Sequence, residues 1–507
     1  MRFRETSIVA IAALVLGCSG VRKSQGAKLA RAYCAACHTF PEPALLDKKT
    51  WQTGVLPAMA PRLGVSSGSL RGAIARDPLM PVLTQPIASN DWEKIVAYYL
   101  ATAPDSLPYQ TLPAEPRVDP PFFTVGPFVP HLQSTAIVTL LKADSVHQRI
   151  LIGEAGTNLL RIFDWNRRLL STTTLGSPPT DAIVEAKRIL VLESGILDPN
   201  DEPKGSLQEF TALANGSLKP GRVLIDSLYR PVFVRRVDFD SGGRAEFLVC
   251  EFGNNIGRLA LYRDNGVRYE RHVLEASPGA IRFEIQDLTG DGKPDIVALF
   301  AQGDERITLF VNDGSGNFTE RRVLARFPPV YGSMHFTLGD FNGDGKPDIL
   351  YINGDNFDYS RVLKPYHGIH ILENDGNNNF AERYFYPLYG AAQAIAADFD
   401  NDGDLDILAV SNFADIKRHP ERGITYLENT GPKSYTFRPY VFTIAATDQW
   451  NVMAAADLNR DGRLDVLIGA MSLANIAAGQ RQFSGQRPEF GKDPVLLFEN
   501  RFPLKER

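Results

Sequence analysis

The sequence predicts a multidomain chain in which a small all-α domain is followed by an all-β propeller, and three observations predict it. A helical pattern surrounds Cys34-Ala35-Ala36-Cys37-His38, a proline-rich stretch follows, and an Asp/Gly pattern then recurs at near-constant spacing. At 507 residues the chain is too long for one ordinary core, although repetition lets a propeller grow large.

Arg2 and Arg4 precede an apolar run, Ile8 to Leu16, too short to span a bilayer and suited to a signal-peptide core. Val15-Leu16-Gly17-Cys18 resembles the lipobox of bacterial lipoproteins, which implies acylation of Cys18 and a membrane anchor. Residues 1–17 are then the signal peptide and 18–25 a tether; a plain secretory peptide is the alternative. Either reading places the mature protein outside the cytoplasm, in the periplasm or at the cell surface. Of four cysteines, Cys18 belongs to this segment, Cys34 and Cys37 form a pair, and Cys250 sits in an apolar strand as a buried small hydrophobe. No disulfide framework is expected.

C-x-x-C-H is the pattern in which two thiols add to haem vinyl groups and the adjacent histidine takes the proximal iron position. Cys34, Cys37 and His38 therefore make a site for one covalent haem c. Leu29 and Tyr33 share a helix face before the motif, and Trp92, Ile95, Val96, Tyr99 and Leu100 form one stripe of a later helix. That helix is expected to start at Asn90 with Glu93 as its capping-box partner and to stop at Pro104. The arrangement, residues 26–104, resembles a cytochrome c-like domain of class I. For the sixth ligand Met59 is favoured over Met80, because Trp51 to Gly64 resembles the segment after C-x-x-C-H in haem proteins fused to FG-GAP repeats; Met80, just before the closing helix, remains the alternative. A Met/His pair leaves no open coordination position, which favours electron transfer over oxygen chemistry.

Residues 105–133, holding seven prolines between Pro108 and Pro130, read as a semi-rigid linker. Beyond them the pattern Asp287-x-Thr289-x-Asp291-Gly292-Lys293-x-Asp295 is repeated at Asp340-x-Asn342-x-Asp344-Gly345-Lys346-x-Asp348. It returns at Asp398-x-Asp400-x-Asp402-Gly403-Asp404-x-Asp406 and at Asp457-x-Asn459-x-Asp461-Gly462-Arg463-x-Asp465. Oxygens at positions 1, 3, 5 and 9, a carbonyl at 7 and a glycine at 6 suit a hard cation such as Ca²⁺, so about four ions are expected. Position 12 falls inside an apolar strand each time, which excludes an EF-hand. A worn copy at Asp238, Asp240 and Glu246 has Gly242 at position 5.

A second element, ending in Asn312, Asn374, Asn429 and Asn500, follows each loop, and Asp313-Gly314 and Asp375-Gly376 supply hairpin turns. Together these features resemble the FG-GAP/VCBS repeat family, whose blades form the integrin α-chain head. The resemblance implies a propeller over 134–501; at about 53 residues per blade this gives seven blades, with six and eight as neighbouring solutions.

No catalytic constellation is legible. His335, His367 and His370 could face one channel but lack a ligand set, and a formal charge of −5 without a basic stripe argues against nucleic acid. The insertions 353–368 and 412–423 are the candidate binding rim. The function expected is an electron-transfer protein whose propeller docks a redox partner protein at the membrane surface or another ligand. The alternatives are an adhesion propeller for protein or glycan with an accessory haem, and a propeller dehydrogenase feeding the haem.

Overall fold

The computed structural model describes residues 24–65, 86–132, 134–213, 217–356, 362–472 and 493–503. The chain divides into two compact units, Met1–Tyr109 with Phe327–Val330 and Asn356–Pro365, and Gln110–Arg326 with Tyr331–Asp355 and Tyr366–Arg507. Among the described residues no helix is long and apolar enough to cross a membrane.

In the first unit α1 covers residues 24–34, α2 Lys48–Thr50, α3 Leu56–Arg62 and α4 Ser89–Thr102. Asp47 starts α2 by accepting from the Thr50 amide at 3.0 Å and its hydroxyl at 2.6 Å, satisfying donors that a helix start leaves open. Pro57 falls in the first turn of α3, where its missing N–H costs little. Gly26 is required where α1 meets α4, since a Cβ there would lie 2.4 Å from the Lys94 carbonyl. The core packs Trp51 against Tyr99 with centroids 4.5 Å apart and the rings tilted by 48°, and each polar handle finds a carbonyl: Trp51 Nε1 donates to Pro43 and the Tyr99 hydroxyl to Pro41. Trp92 and Ile95 complete this core. α4 begins at Ser89 without a side-chain cap; instead of Asn90 and Glu93 closing a capping box, Asp91 pairs with Lys94 at 2.9 Å.

The second unit is a seven-bladed β-propeller. Blades 1 to 6 have four consecutive strands each, at 138–174, 179–228, 231–275, 280–326, 333–387 and 391–441, and blade 7 has three at 450–500. Each meanders outward from an innermost strand, and innermost strands of neighbouring blades pack side by side around a closed ring. Second strands such as Asp295–Phe300 and Asp406–Ser411 are buried at every position, which is why they read as unbroken apolar runs. Outer strands such as Tyr269–Glu275 are largely exposed and charged, which protects open sheet edges from pairing with other chains.

The stretch read as a linker is folded onto this unit. Phe123–Pro127 is the outermost strand of blade 7, pairing antiparallel with Val495–Asn500, so the ring closes with strands from both ends of the unit. Arg117–Val118 adds in parallel to blade 6, and Asp119 accepts from the Thr443 amide at 2.8 Å. Prolines fit here because both strands are edges whose outward N–H groups need no partner.

The innermost strands have unpaired backbone groups, which side chains satisfy. Thr139 and Thr180 donate to the carbonyls of Pro179 and Pro231 in the next blade, and Gln393 brackets both backbone groups of Met453. Asp181 accepts from the Val234 amide while binding Arg235 at 2.7 Å and Lys142 at 3.2 Å, joining blades 1, 2 and 3.

Candidate functional site

Cys34 ends α1, and Cys37 and His38 lie in the turn that follows. Cys34 is half-buried against the helical core, Cys37 is exposed, and the two are not bonded to each other. Burial pushes the Cys34 thiol up to about 11, against a hydrogen bond with Tyr99. His38 Nδ1 lies 2.9 Å from the Thr39 carbonyl. A carbonyl can only accept, so Nδ1 is the donor here, and in the neutral ring Nε2 is then the nitrogen free to bind a metal. Trp92 Nε1 is buried with no partner among the described residues. Met59 lies on α3, half-buried against the same core. Met80 and Cys18 lie outside the described residues.

The four repeated loops join first to second strands in blades 4 to 7. The position-1 carboxylate holds the loop together: Asp287 accepts from Gly290, Asp291 and Gly292, and Asp340 from Gly343, Asp344 and Gly345. Asp398 and Asp457 bind the position-5 and position-6 amides in the same way. Position 6 has φ of +83, +81, +99 and +83° in the four loops, which selects glycine. Thr289 Oγ1 and Asn459 Oδ1 turn inward, the first onto Asp287 at 3.4 Å, the second onto the Asp461 amide at 3.0 Å.

Position 9 has a task that the spacing alone did not reveal. Asp295, Asp348, Asp406 and Asp465 are buried, and one oxygen of each accepts the amide of Asn312, Asn374, Asn429 or Asn500 at 2.7 to 2.9 Å. The other oxygen accepts the position-2 amide of Leu288, Phe341, Phe399 or Leu458. The recurrent asparagine is thus the anchor of the loop, a role sequence reasoning missed although its periodicity was visible. Burial raises Asp348 and Asp465 to about 6 and Asp406 to about 7.

The loops differ in charge compensation. Lys293 pairs with Asp291 at 3.1 Å, Lys346 with Asp344 at 3.3 Å, and Arg463 with Asp461. Blade 6 has Asp404 at that position, and oxygens of Asp398, Asp400 and Asp402 lie within 4.8 Å of one another. Asp404 Oδ1 is buried without a hydrogen-bond partner among the described residues, and burial with the neighbouring carboxylates raises the group to about 7. This donor set fits a divalent cation. In the worn loop of blade 3, Arg263 lies 3.1 Å from Glu246, so a guanidinium supplies the positive charge.

The three histidines all fall in blade 5 and do not form a ligand set. His370 is bound by Glu382 and Asn353, His367 offers its backbone carbonyl to Gln110, and His335 is buried with both ring nitrogens unpartnered among the described residues. Of the expected rim, 357–361 lies outside the described residues, and 412–423 ends in the single turn Pro420–Gly423.

Residues 287–351 and 352–409 match the FG-GAP-like repeat family. Among solved structures, a protein from Lactobacillus plantarum is similar with a TM-score of 0.40 at 9% identity, over 59% of this chain and 82% of that one. The Dos1 propeller is similar with a TM-score of 0.42 at 8% identity, over 72% of this chain and 80% of that one. No curated protein matches. The chain therefore carries FG-GAP-like repeats within a seven-bladed β-propeller.

Proposed function

We propose that the protein is an exported electron carrier in which a c-type haem is held by the N-terminal helical unit and a calcium-braced propeller docks a partner. The observation that carries this reading is the C-x-x-C-H turn with His38 Nδ1 directed at a carbonyl. Cys34 and Cys37 would hold the haem by two thioethers, His38 Nε2 would ligate the iron, and Met59, or else Met80, would close the sixth position. Bound haem would supply a one-electron couple. Cys34 packs against the apolar core of Trp51, Trp92 and Tyr99, which would keep water from one side of the group and so tune such a couple. The propeller would bind Ca²⁺ at 287–295, 340–348, 398–406 and 457–465, with the uncompensated blade 6 loop as the strongest site. Acylated Cys18 would tether the protein to a membrane, in the periplasm or at the cell surface, where a redox partner protein is reached.

The test is an absorption spectrum, oxidised and reduced, of protein made in cells competent to mature cytochromes, with Met59 and Met80 replaced in turn. Loss of the Met-to-iron charge-transfer band should follow one replacement only, and a colourless wild-type protein refutes the haem reading. The second reading, a ligand-binding propeller with an accessory haem, is favoured by the seven-bladed fold itself; capture of a protein or glycan ligand unaffected by Cys34→Ala would establish it.

A further inference from the structure

The cation loops of blades 4, 5 and 6 are held from outside as well as from within. The position-2 residue joins the two flanking ligand residues, so the orientation of its backbone sets where their oxygens point. Its N–H is fixed by the loop's own position-9 carboxylate, as when Leu288 donates to Asp295 at 3.1 Å and Phe399 to Asp406 at 3.1 Å. Its carbonyl is fixed by the following blade: Asn378 of blade 5 donates to Leu288 O at 2.8 Å, and Asn500 of blade 7 to Phe399 O at 2.8 Å. The worn loop keeps the same clamp, with Asn312 of blade 4 on Phe239 O at 3.0 Å. In blade 5 the following blade acts on a ligand side chain. Asn342 Nδ2 donates to the Tyr435 hydroxyl at 3.1 Å and to Glu373 at 3.3 Å, which leaves its Oδ1 turned to the loop interior, on the Asp344 amide.

We propose that Asn378, Tyr435 and Asn500 are positioning residues for the cation sites of the preceding blades, so that each site is completed across a blade boundary. The proposal rests on the calcium reading above. Asn500 also donates its own amide to Asp465 at 2.9 Å, so one residue links the loops of blades 6 and 7, and order imposed by an ion in either reaches the other. Residues that orient metal ligands without touching the ion typically change affinity about 10- to 100-fold when lost.

The test uses the full chain stripped with chelator and titrated with Ca²⁺ by calorimetry, as wild type and as Asn378→Gly, Tyr435→Phe and Asn500→Ala. Asn378 has φ +62°, so glycine removes the amide without straining the backbone. In each variant one site should weaken about 10-fold while the number of ions bound stays unchanged. Sites of wild-type affinity, in variants whose calcium-free thermal midpoint has fallen, would show that the contacts only hold blades together and would overturn the proposal. A wild-type chain that binds no Ca²⁺ would instead reject the calcium reading, and this proposal with it.

Discussion

Glu305 makes the propeller sensitive to pH near neutrality. Its carboxylate is 2% exposed between blades 4 and 5, where it accepts from the Ser333 hydroxyl at 2.5 Å, the Ser333 amide at 2.8 Å and the Gly332 amide at 3.2 Å. Burial raises it from 4.5 to about 7, more than these donors lower it. A carboxyl group raised in the folded state binds its proton more tightly there than in the unfolded chain. Its contribution is therefore fully present below pH 4.5 and lost as pH rises through 7. At about 1.36 kcal/mol per pH unit the loss approaches about 3 kcal/mol. Unfolding entropy of about 2.1 cal/mol/K per residue over a unit of about 380 residues converts this to about 4 °C. Glu305→Gln resembles the protonated form, so it should unfold only about 1 °C higher than wild type at pH 5 and about 4 °C higher at pH 8. Thermal midpoints of both proteins at each pH check this, and their difference cancels the titration of the loop carboxylates. A difference that is flat between pH 5 and pH 8, or that favours wild type more as pH rises, would refute the reasoning.

Asp181→Ala leaves Lys142 and Arg235 uncompensated at the inner strands and should cost about 3–5 kcal/mol, read as an earlier denaturant midpoint; an unchanged midpoint would show that water replaces the carboxylate. Phe123→Ala removes a ring packed among Phe399, Tyr426, Phe442 and Phe498 and should cost about 3–5 kcal/mol, with faster proteolysis and hydrogen exchange first in blade 7. Asp402→Asn removes one charge from the blade 6 loop and should lower Ca²⁺ affinity most at that site by calorimetry, with any secondary effect confined to the blade 7 site that Asn500 joins to it; an equal loss at all sites would contradict this. Trp51→Ala should cost the helical unit about 3–5 kcal/mol, visible as lost helical circular dichroism with the β signal retained.

The parts of this molecule that repeat were legible because repetition turns weak signals into a period. Ile296–Phe300 alone is an ambiguous apolar run, yet with its counterparts after Asp348, Asp406 and Asp465 it marks the second strand of a blade. What escaped the sequence depends on contacts far along the chain. Phe123–Pro127 is flanked by prolines and looks like linker until Val125 is seen opposite Phe498. α4 starts at Ser89, one residue before Asn90, with Ala88 at the cap position and no side-chain cap, so the local cap signal was not used. The position-9 aspartates were read only as cation ligands; their anchoring role did not show because their partners, Asn312 to Asn500, lie 17 to 35 residues away. Glu305 carried no periodic signal at all.

The pairing of Val125 with Phe498 also orders events in time. Adjacent blades can collapse as they emerge from the ribosome, but Phe123–Pro127 emerges early and has no sheet to join until the three strands of 450–500 have followed. Loop-closure entropy for so distant a contact makes this the slow step of assembly. The nascent polypeptide must meanwhile shelter an incomplete β edge, and a chaperone that protects such edges would raise the yield of the intact protein more than one that only hastens local folding.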